Sequence, residues 1–393
     1  MRDPSKPLRC RHHVCLTVTA ALLTVSTAGV SQSPAPTWQR VLSGPGYGAL
    51  FDAVPTDDHH IVAVGATNHR HTPPYSGDAL LVQVTAVDGR LGWERTWGGD
   101  GYEQAWAVAR APDGGFFVFG ETDSYGAGNR DFFLLKIDAN GAEIWFRTYG
   151  TPAREWPFGM LALANGDLLL YGLVKSEDDR GDPYAVRVNS EGRVAWEYTA
   201  RSDTDAFFLD ALETEAGQIV LCASVAEDGA LVALGPDGDS LWTQRYELAG
   251  WQYPSAIATT DDGYLLTGFA MIETGPNRQA DVWLAKTSRD GTLEWQRSFG
   301  AVESDDYGME LLRVADDGYV IGGFGQGMPL WKIDATGDLI WERRLDDVSL
   351  YATGAVHQLD DGGFLVSGLK VIRNGQSNDA VLLRTDAAGQ TNR

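Results

Sequence analysis

The chain has 393 residues with 31 basic and 54 acidic side chains, a formal charge of −23 at neutral pH. A surface this acidic repels nucleic acid and anionic membrane, which excludes both as expected partners. With 44% hydrophobic and 10% aromatic residues, the composition is that of a chain with a packed core rather than a disordered one.

At the N-terminus, Arg2, Lys6, Arg9 and Arg11 precede an apolar stretch from Leu16 to Val30, in which Ser26, Thr27 and Ala28 offer small residues for cleavage. This predicts a secretory signal peptide over residues 1–28 and a short linker over 29–37. The stretch is about 15 residues long and carries four threonines, short of the roughly 20 apolar residues that span a bilayer. Export to the periplasm or the exterior of a bacterium-like cell is therefore expected, with no integral membrane segment left after cleavage. Cys10 and Cys15 lie before or at the start of this stretch, which argues against lipid anchoring. Cys222 then stands alone in the apolar run Ile219 to Ala223, where it reads as a small buried hydrophobe. Removing residues 1–28, with four basic residues against Asp3, leaves a charge of about −26.

From Trp38 onward the chain repeats. Trp38, Trp93, Trp145, Trp196, Trp242, Trp295 and Trp341 recur about every 51 residues, each opening a similar segment. A period near fifty with strand patterning inside each unit predicts an all-β, seven-bladed propeller of four-stranded antiparallel blades, a single domain over residues 38–393. The clearest unit holds four apolar runs: Ala105 to Arg110, Phe116 to Gly120, Asp131 to Asp138 and Ile144 to Gly150. Asp113-Gly114-Gly115 and Asn140-Gly141 supply turns between them. The Gly turn before each Trp strand recurs as Gly89, Gly141, Gly192, Gly238, Gly291, Gly337 and Gly389. Clusters such as Asp237-Gly238-Asp239 lack the distal glutamate of a calcium loop and read as hairpin turns.

The register predicts how the ring closes. If each Trp strand is the outer strand of its blade, Trp38 to Leu42 is an orphan at one end, while Ala380 to Arg384 lacks an outer partner at the other. The N-terminal strand is expected to complete the last blade, removing an exposed sheet edge. Arg40, Arg95, Arg147, Arg297 and Arg343 each follow a Trp by two residues and so share its strand face, a repeated packing role. Asp78, Asp131, Asp182, Asp281 and Asp379, each just before or at the start of a third strand, read as repeated loop-to-strand hydrogen bonders.

The run Lys136 to Trp145, with Asp138, Gly141 and Trp145 in order, resembles the tryptophan-docking repeat of pyrroloquinoline-quinone-type propellers. The units Trp-x-Arg-x-aromatic-Gly, Asp-Gly-Gly and Asp-x-aromatic-Leu-x-Lys are similar to those of bacterial secreted propeller-repeat proteins, and they cover residues 38–393. The resemblance implies a propeller in a superfamily that holds quinone-dependent dehydrogenases and non-enzymatic members. The dehydrogenases are similar in having eight blades, adjacent cysteines and a calcium site, whereas this chain has seven Trp repeats and one cysteine beyond the signal segment.

Function is expected on the face bearing the variable loops, Ala66 to Gly77, Glu121 to Arg130, Leu173 to Gly181 and Phe269 to Ala280, above the central channel. There Tyr47, Tyr102, Trp156, Asp205, Trp251, Tyr307 and Tyr351 stand near the starts of the inner strands. With Glu103, Glu155, Asp305 and Asp306 they could form an acidic rim with aromatic platforms for a carbohydrate or a cationic peptide. The same aromatics are placed to pack between blades, and that is the favoured reading. His69 and His71, with Tyr75 nearby, could bind a metal or move protons, but no pattern fixes a carboxylate beside them, so a solvated loop is expected. No catalytic residue, metal site or cofactor is assigned. The expectation is a monomeric, non-catalytic binding or scaffold module for a protein or glycan. The alternative is an enzyme, either a quinone-dependent oxidoreductase or a carbohydrate-active lyase or hydrolase.

Overall fold

Seven four-stranded antiparallel sheets stand around a central axis in the computed structural model, which describes residues 36–42, 48–67, 77–175, 177–226, 228–246, 252–274, 277–300, 304–345, 350–371 and 378–391. Among the described residues all regular structure is strand. Blades 1 to 5 begin with the inner strands Ala49–Pro55, Glu103–Arg110, Glu155–Ala162, Ala206–Glu213 and Gln252–Thr259. Blades 6 and 7 begin with Tyr307–Arg313 and Leu350–Gln358. The hydrophobic core lies between blades rather than within one. Phe117 and Phe119 of blade 2, for example, pack with Leu168, Leu170 and Val186 of blade 3 in one buried cluster. Each blade therefore buries its faces only by having neighbours, which is why a repeated sequence yields a closed ring.

The ring closes as the register predicts. Strand Trp38–Leu42 runs antiparallel to Asn378–Arg384, with Trp38 opposite Arg384 and Leu42 opposite Ala380. Trp38 also donates its indole N–H to the Ala86 carbonyl at 3.0 Å, and the Arg384 guanidinium reaches the same carbonyl. The first and last blades are thus stitched by chain segments from opposite ends of the sequence.

The glycine before each Trp strand has a second duty beyond turning the chain. Gly238 has φ +84°, and a Cβ there would come within 2.7 Å of the Trp196 ring of the preceding blade. The same overlap joins Gly89 to Trp38, Gly141 to Trp93, Gly291 to Trp242, Gly337 to Trp295 and Gly389 to Trp341. Only glycine adopts that φ freely and also leaves room for an indole laid flat on the turn. Four of the five arginines cap their own Trp ring, at 5.8 Å for Arg95, 5.6 Å for Arg147, 4.6 Å for Arg297 and 5.1 Å for Arg343. Arg147 and Arg343 then donate to the Glu191 and Ala388 carbonyls of the docked turn. The Trp, Arg and Gly columns are therefore one interblade joint, repeated.

Blade 6 departs from the pattern. Its second and third strands, Tyr319–Gln326 and Pro329–Ile333, are joined by Gly327 and Met328 alone, with Met328 at φ +50°. With no long loop over it, the end of Tyr319–Gln326 pairs with blade 7, Gly325 opposite Tyr351, and the two sheets become continuous.

Candidate functional site: the central channel

Every inner strand breaks its pairing with the second strand once, at the same level. The residue left out of register is Phe51, Trp106, Phe158, Leu209, Ser255, Met309 and Gly354 in blades 1 to 7. A β-bulge adds one unpaired residue and re-aims its side chain. Here the bulges form a ring that lines a central cavity of about 500 Å3. In blades 1 to 6 they fall in the half of the inner strand nearer the variable loops, and in blade 7 at its middle.

Aromatic rings of blades 1 to 3 line part of this wall, and a chain of ring contacts continues from them into blades 4 to 6. Phe51 stacks on Trp106 with centroids 4.9 Å apart, Trp106 meets Phe158 at 6.4 Å, and Phe158 stacks on Phe207 at 5.3 Å. Phe207, Tyr253, Phe269 and Tyr307 continue the ribbon at 5.8, 5.3 and 4.8 Å. Phe207, Tyr253 and Tyr307 stand two residues before the bulge of their strands, on the strand face that follows from that spacing.

One residue past the bulge, three blades place a carboxylate on the cavity wall: Asp52, Asp210 and Glu310. Two of them staple neighbouring blades. Asp52 accepts from its neighbour Ala53 N–H at 2.7 Å and from Val108 N–H of blade 2 at 2.8 Å. Asp210 accepts from Ala211 and from Ile257 of blade 5, both at 2.8 Å, and from the Tyr171 hydroxyl at 3.3 Å. Burial pushes Asp210 up to about 6, against the pull of those amides. Glu310 accepts no hydrogen bond among the described residues. Burial, then the charges of Asp210 and Asp52, hold its carboxyl well above the usual carboxylate range. His357 of blade 7 lies 3.9 Å from Asp52 through Nε2.

Apart from Tyr307, which joins the aromatic ribbon, the predicted rim residues that are described do not line this cavity. Tyr47, Trp251, His69 and His71 lie outside the described residues. Tyr102 is buried at 3% exposure beneath Arg130, whose guanidinium is 4.8 Å from the ring, so it offers no platform; packing at the junction of blades 1 and 2 has taken its surface. Arg154 covers Trp156 at 4.4 Å. Asp205 accepts from Gly181 N–H at 2.8 Å and anchors a blade 3 strand. Tyr351 is placed by backbone pairing to both Lys370 and Gly325. Of the described members, Tyr307 alone joins the aromatic ribbon, between Phe269 at 4.8 Å and Phe324 at 5.5 Å. Three of the four acidic rim residues are internal, while Asp305 is exposed and accepts from the Ala280 N–H at 2.9 Å. Glu103 and Glu155 are fully buried, and Asp306 is buried in an ion pair with Arg344 at 2.9 Å.

Cys222 is buried in blade 4, and burial raises its thiol well above the ordinary range. Among the described residues, no group of three His, Cys, Asp or Glu side chains is arranged to hold a metal, and no helix is long and apolar enough to cross a membrane.

Comparison with solved structures defines the class as the β-propeller fold. The chain is similar to YCF48 bound to D1 peptide, with a TM-score of 0.56 and 13% identity over 89% of this chain and 95% of that one. It is similar to the Neurospora crassa Pan2 WD40 domain at a TM-score of 0.58 and 10% identity, covering 89% and 96% of the two chains. Sqt1 from Chaetomium thermophilum matches at 0.52 and 10% identity, over 90% and 86%. No protein-family profile and no curated protein matches the chain.

Proposed function

We propose that the protein is an exported, non-catalytic binding module that holds its ligand at the loop-side end of the central channel. The observation that carries this reading is the bulge column. Positions that build the fold repeat from blade to blade, as the Trp, Arg and Gly joint does. The bulge residues share one backbone geometry yet differ in nearly every blade, from Trp106 to Gly354. A rigid ring with an unrepeated lining is asymmetric where a ligand would sit, and asymmetry is what recognition of one ligand requires. Aromatic and thioether walls with a few convergent polar groups are the ordinary make-up of a small-ligand pocket, and about 500 Å3 falls within their usual range.

The basic-then-apolar segment over residues 2–30 supports export to the periplasm or beyond. The Asp138, Gly141 and Trp145 repeat supports kinship with quinoprotein-like propellers, and the seven Trp repeats and single cysteine beyond the signal segment favour their non-enzymatic members. YCF48, a propeller of the same fold, is described with a bound peptide, which makes a peptide segment one source of ligand to test.

The test is a thermal-shift panel of neutral and acidic oligosaccharides and of basic and acidic peptides, run on the wild type and on Ser255→Phe, which fills the channel. A ligand that raises the melting temperature of the wild type but not of the filled variant supports the reading. No shift with any member, or equal shifts in both proteins, overturns it.

A further inference from the structure

A second cavity, of about 470 Å3, opens between blades 2 and 3 and shares no lining residue with the channel. We infer that it binds a sugar acid, whose carboxylate is held by Arg130, Arg154 and Lys175 while its hydroxyls meet Glu177 and Asp179. The cavity lies where two of the variable loops, Glu121 to Arg130 and Leu173 to Gly181, come together. Its lining carries those three cations against two carboxylates, in a chain whose overall charge is −23. Backbone pairing sets the cations side by side. Glu155 N–H donates to the Arg130 carbonyl at 2.9 Å, and Lys175 N–H donates to the Arg154 carbonyl at 2.8 Å.

Both guanidiniums are held by aromatic faces, Arg130 at 4.8 Å from the Tyr102 ring and Arg154 at 4.4 Å from the Trp156 ring. Stacking fixes the plane of a guanidinium and leaves its N–H edge for side-on bonds to an acceptor. Beside them lies the buried Glu121, 3.2 Å from Arg130. Burial pushes its carboxyl up, against the pull of the Arg130 and Arg154 charges together. One buried carboxylate thus faces two guanidiniums. Lys175 adds an ammonium that spends one of its three donors on the Asp179 carbonyl at 2.6 Å. The carboxylates of Asp179 and Asp205 lie 3.9 and 4.0 Å from it, beyond hydrogen-bond reach.

The rim decides which kind of anion fits. Glu177 and Asp179 are exposed at the edge of the cavity, where they meet a phosphate or a polyanion as like charges. A ligand with a single carboxylate and several hydroxyls avoids that repulsion. Its carboxylate takes the guanidinium forks, and its hydroxyls donate to the rim carboxylates. Asn129, exposed beside Arg130, adds an amide that can pair with a hydroxyl in either direction. The side chain of an acidic peptide residue brings the carboxylate without the hydroxyls.

Calorimetric titration of the full chain at low salt tests this, with sodium glucuronate against glucose, sodium acetate, inorganic phosphate and an end-blocked peptide with one central aspartate. The expected result is one glucuronate per chain, bound more tightly than any comparison ligand and weakened about tenfold or more by Arg154→Gln. Lys175→Gln should weaken it less, and Ser255→Phe should leave it unchanged. Should Arg154→Gln fail to fold in a thermal scan, Lys175→Gln decides alone. No glucuronate binding, or binding indifferent to the folded variants, overturns the inference. Glucose bound as tightly as glucuronate overturns it, since the carboxylate is then not read. Acetate or phosphate bound as tightly reduces the cavity to an unselective anion site, and a tighter peptide makes it a site for an acidic peptide; both overturn the sugar acid. Glucuronate binding lost in Ser255→Phe places the sugar in the channel instead, so the two sites stand or fall separately.

Discussion

The Tyr171 hydroxyl occupies the space that a side chain on Gly159 would need, and from there it reaches Asp210 at 3.3 Å in the next blade. Gly159 pairs directly with Tyr171 and stands where other blades carry Asp52, Asp210 or Glu310. Blade 3 thus contributes its channel polar group from the second strand, because the inner strand gives up its own side chain.

Gly159→Ala should therefore push the Tyr171 ring aside and leave Asp210 with one donor fewer. The expected loss is about 1–3 kcal/mol, as for other overpacked interiors. Tyr171→Phe keeps the ring and removes only the hydroxyl, for a loss of about 1 kcal/mol. Urea unfolding of the two variants checks the order; a Gly159→Ala protein as stable as wild type would show that the ring does not need the space.

Two turn glycines separate backbone strain from Trp docking. Gly166 has φ +88° with open space where a Cβ would go, whereas Gly238 has φ +84° with the Trp196 ring at 2.7 Å. Alanine at Gly166 should cost only the left-handed conformation, about 1–2 kcal/mol. Alanine at Gly238 should cost clearly more, because it also lifts the indole off the turn. Equal losses in thermal unfolding would remove docking from the account of the joint.

Trp38→Ala removes an indole laid on Gly89 and its hydrogen bond to Ala86. A lowered melting temperature is expected, and deletion of Trp38 to Leu42 should act more strongly. Without that strand, Asn378–Arg384 becomes an open edge, so the deleted protein should also associate with itself. Light scattering alongside thermal unfolding reads both effects, and an unaltered deletion variant would refute closure by this strand.

The blade 2 to blade 3 junction predicts a pH dependence. Burial raises the Glu155 carboxyl to about 7, with the Asp131 charge adding to the rise against hydrogen bonds from Thr151. A carboxyl raised on folding binds its proton more tightly in the native state. Its stabilising contribution is thus complete below the usual carboxylate value of about 4.5 and disappears as pH rises through about 7. Asp210, pushed up to about 6, acts in the same direction. Melting temperatures from pH 4.5 to 8 should fall with rising pH in the wild type and fall less in Glu155→Gln. An identical slope in the two proteins would remove Glu155 as the cause.

Much of this architecture was readable in the repeat itself. The Trp spacing, Gly turns and orphan N-terminal strand predict seven blades and their closure, because each reflects a local rule repeated seven times. The channel was not readable in the same way. Phe51, Trp106 and Phe158 look like core residues of apolar strands, since a bulge leaves no sequence signal and one extra residue decides which way a side chain points. Aligning the seven inner strands residue by residue offers one clue, a column whose identity differs in nearly every blade beside columns that hold. Tyr102 follows the packing alternative rather than the platform one, a choice its own sequence neighbours could not make because Arg130 covers it from a different strand.

The sequence by itself determined that the chain is an acidic, seven-bladed ring, because periodic patterning forces each blade to seek its neighbour's apolar face. Only the tertiary structure decided that Asp52, Asp210 and Glu310 share one cavity. They belong to three separate blades, and closing the ring is what turns distance along the chain into proximity across the channel.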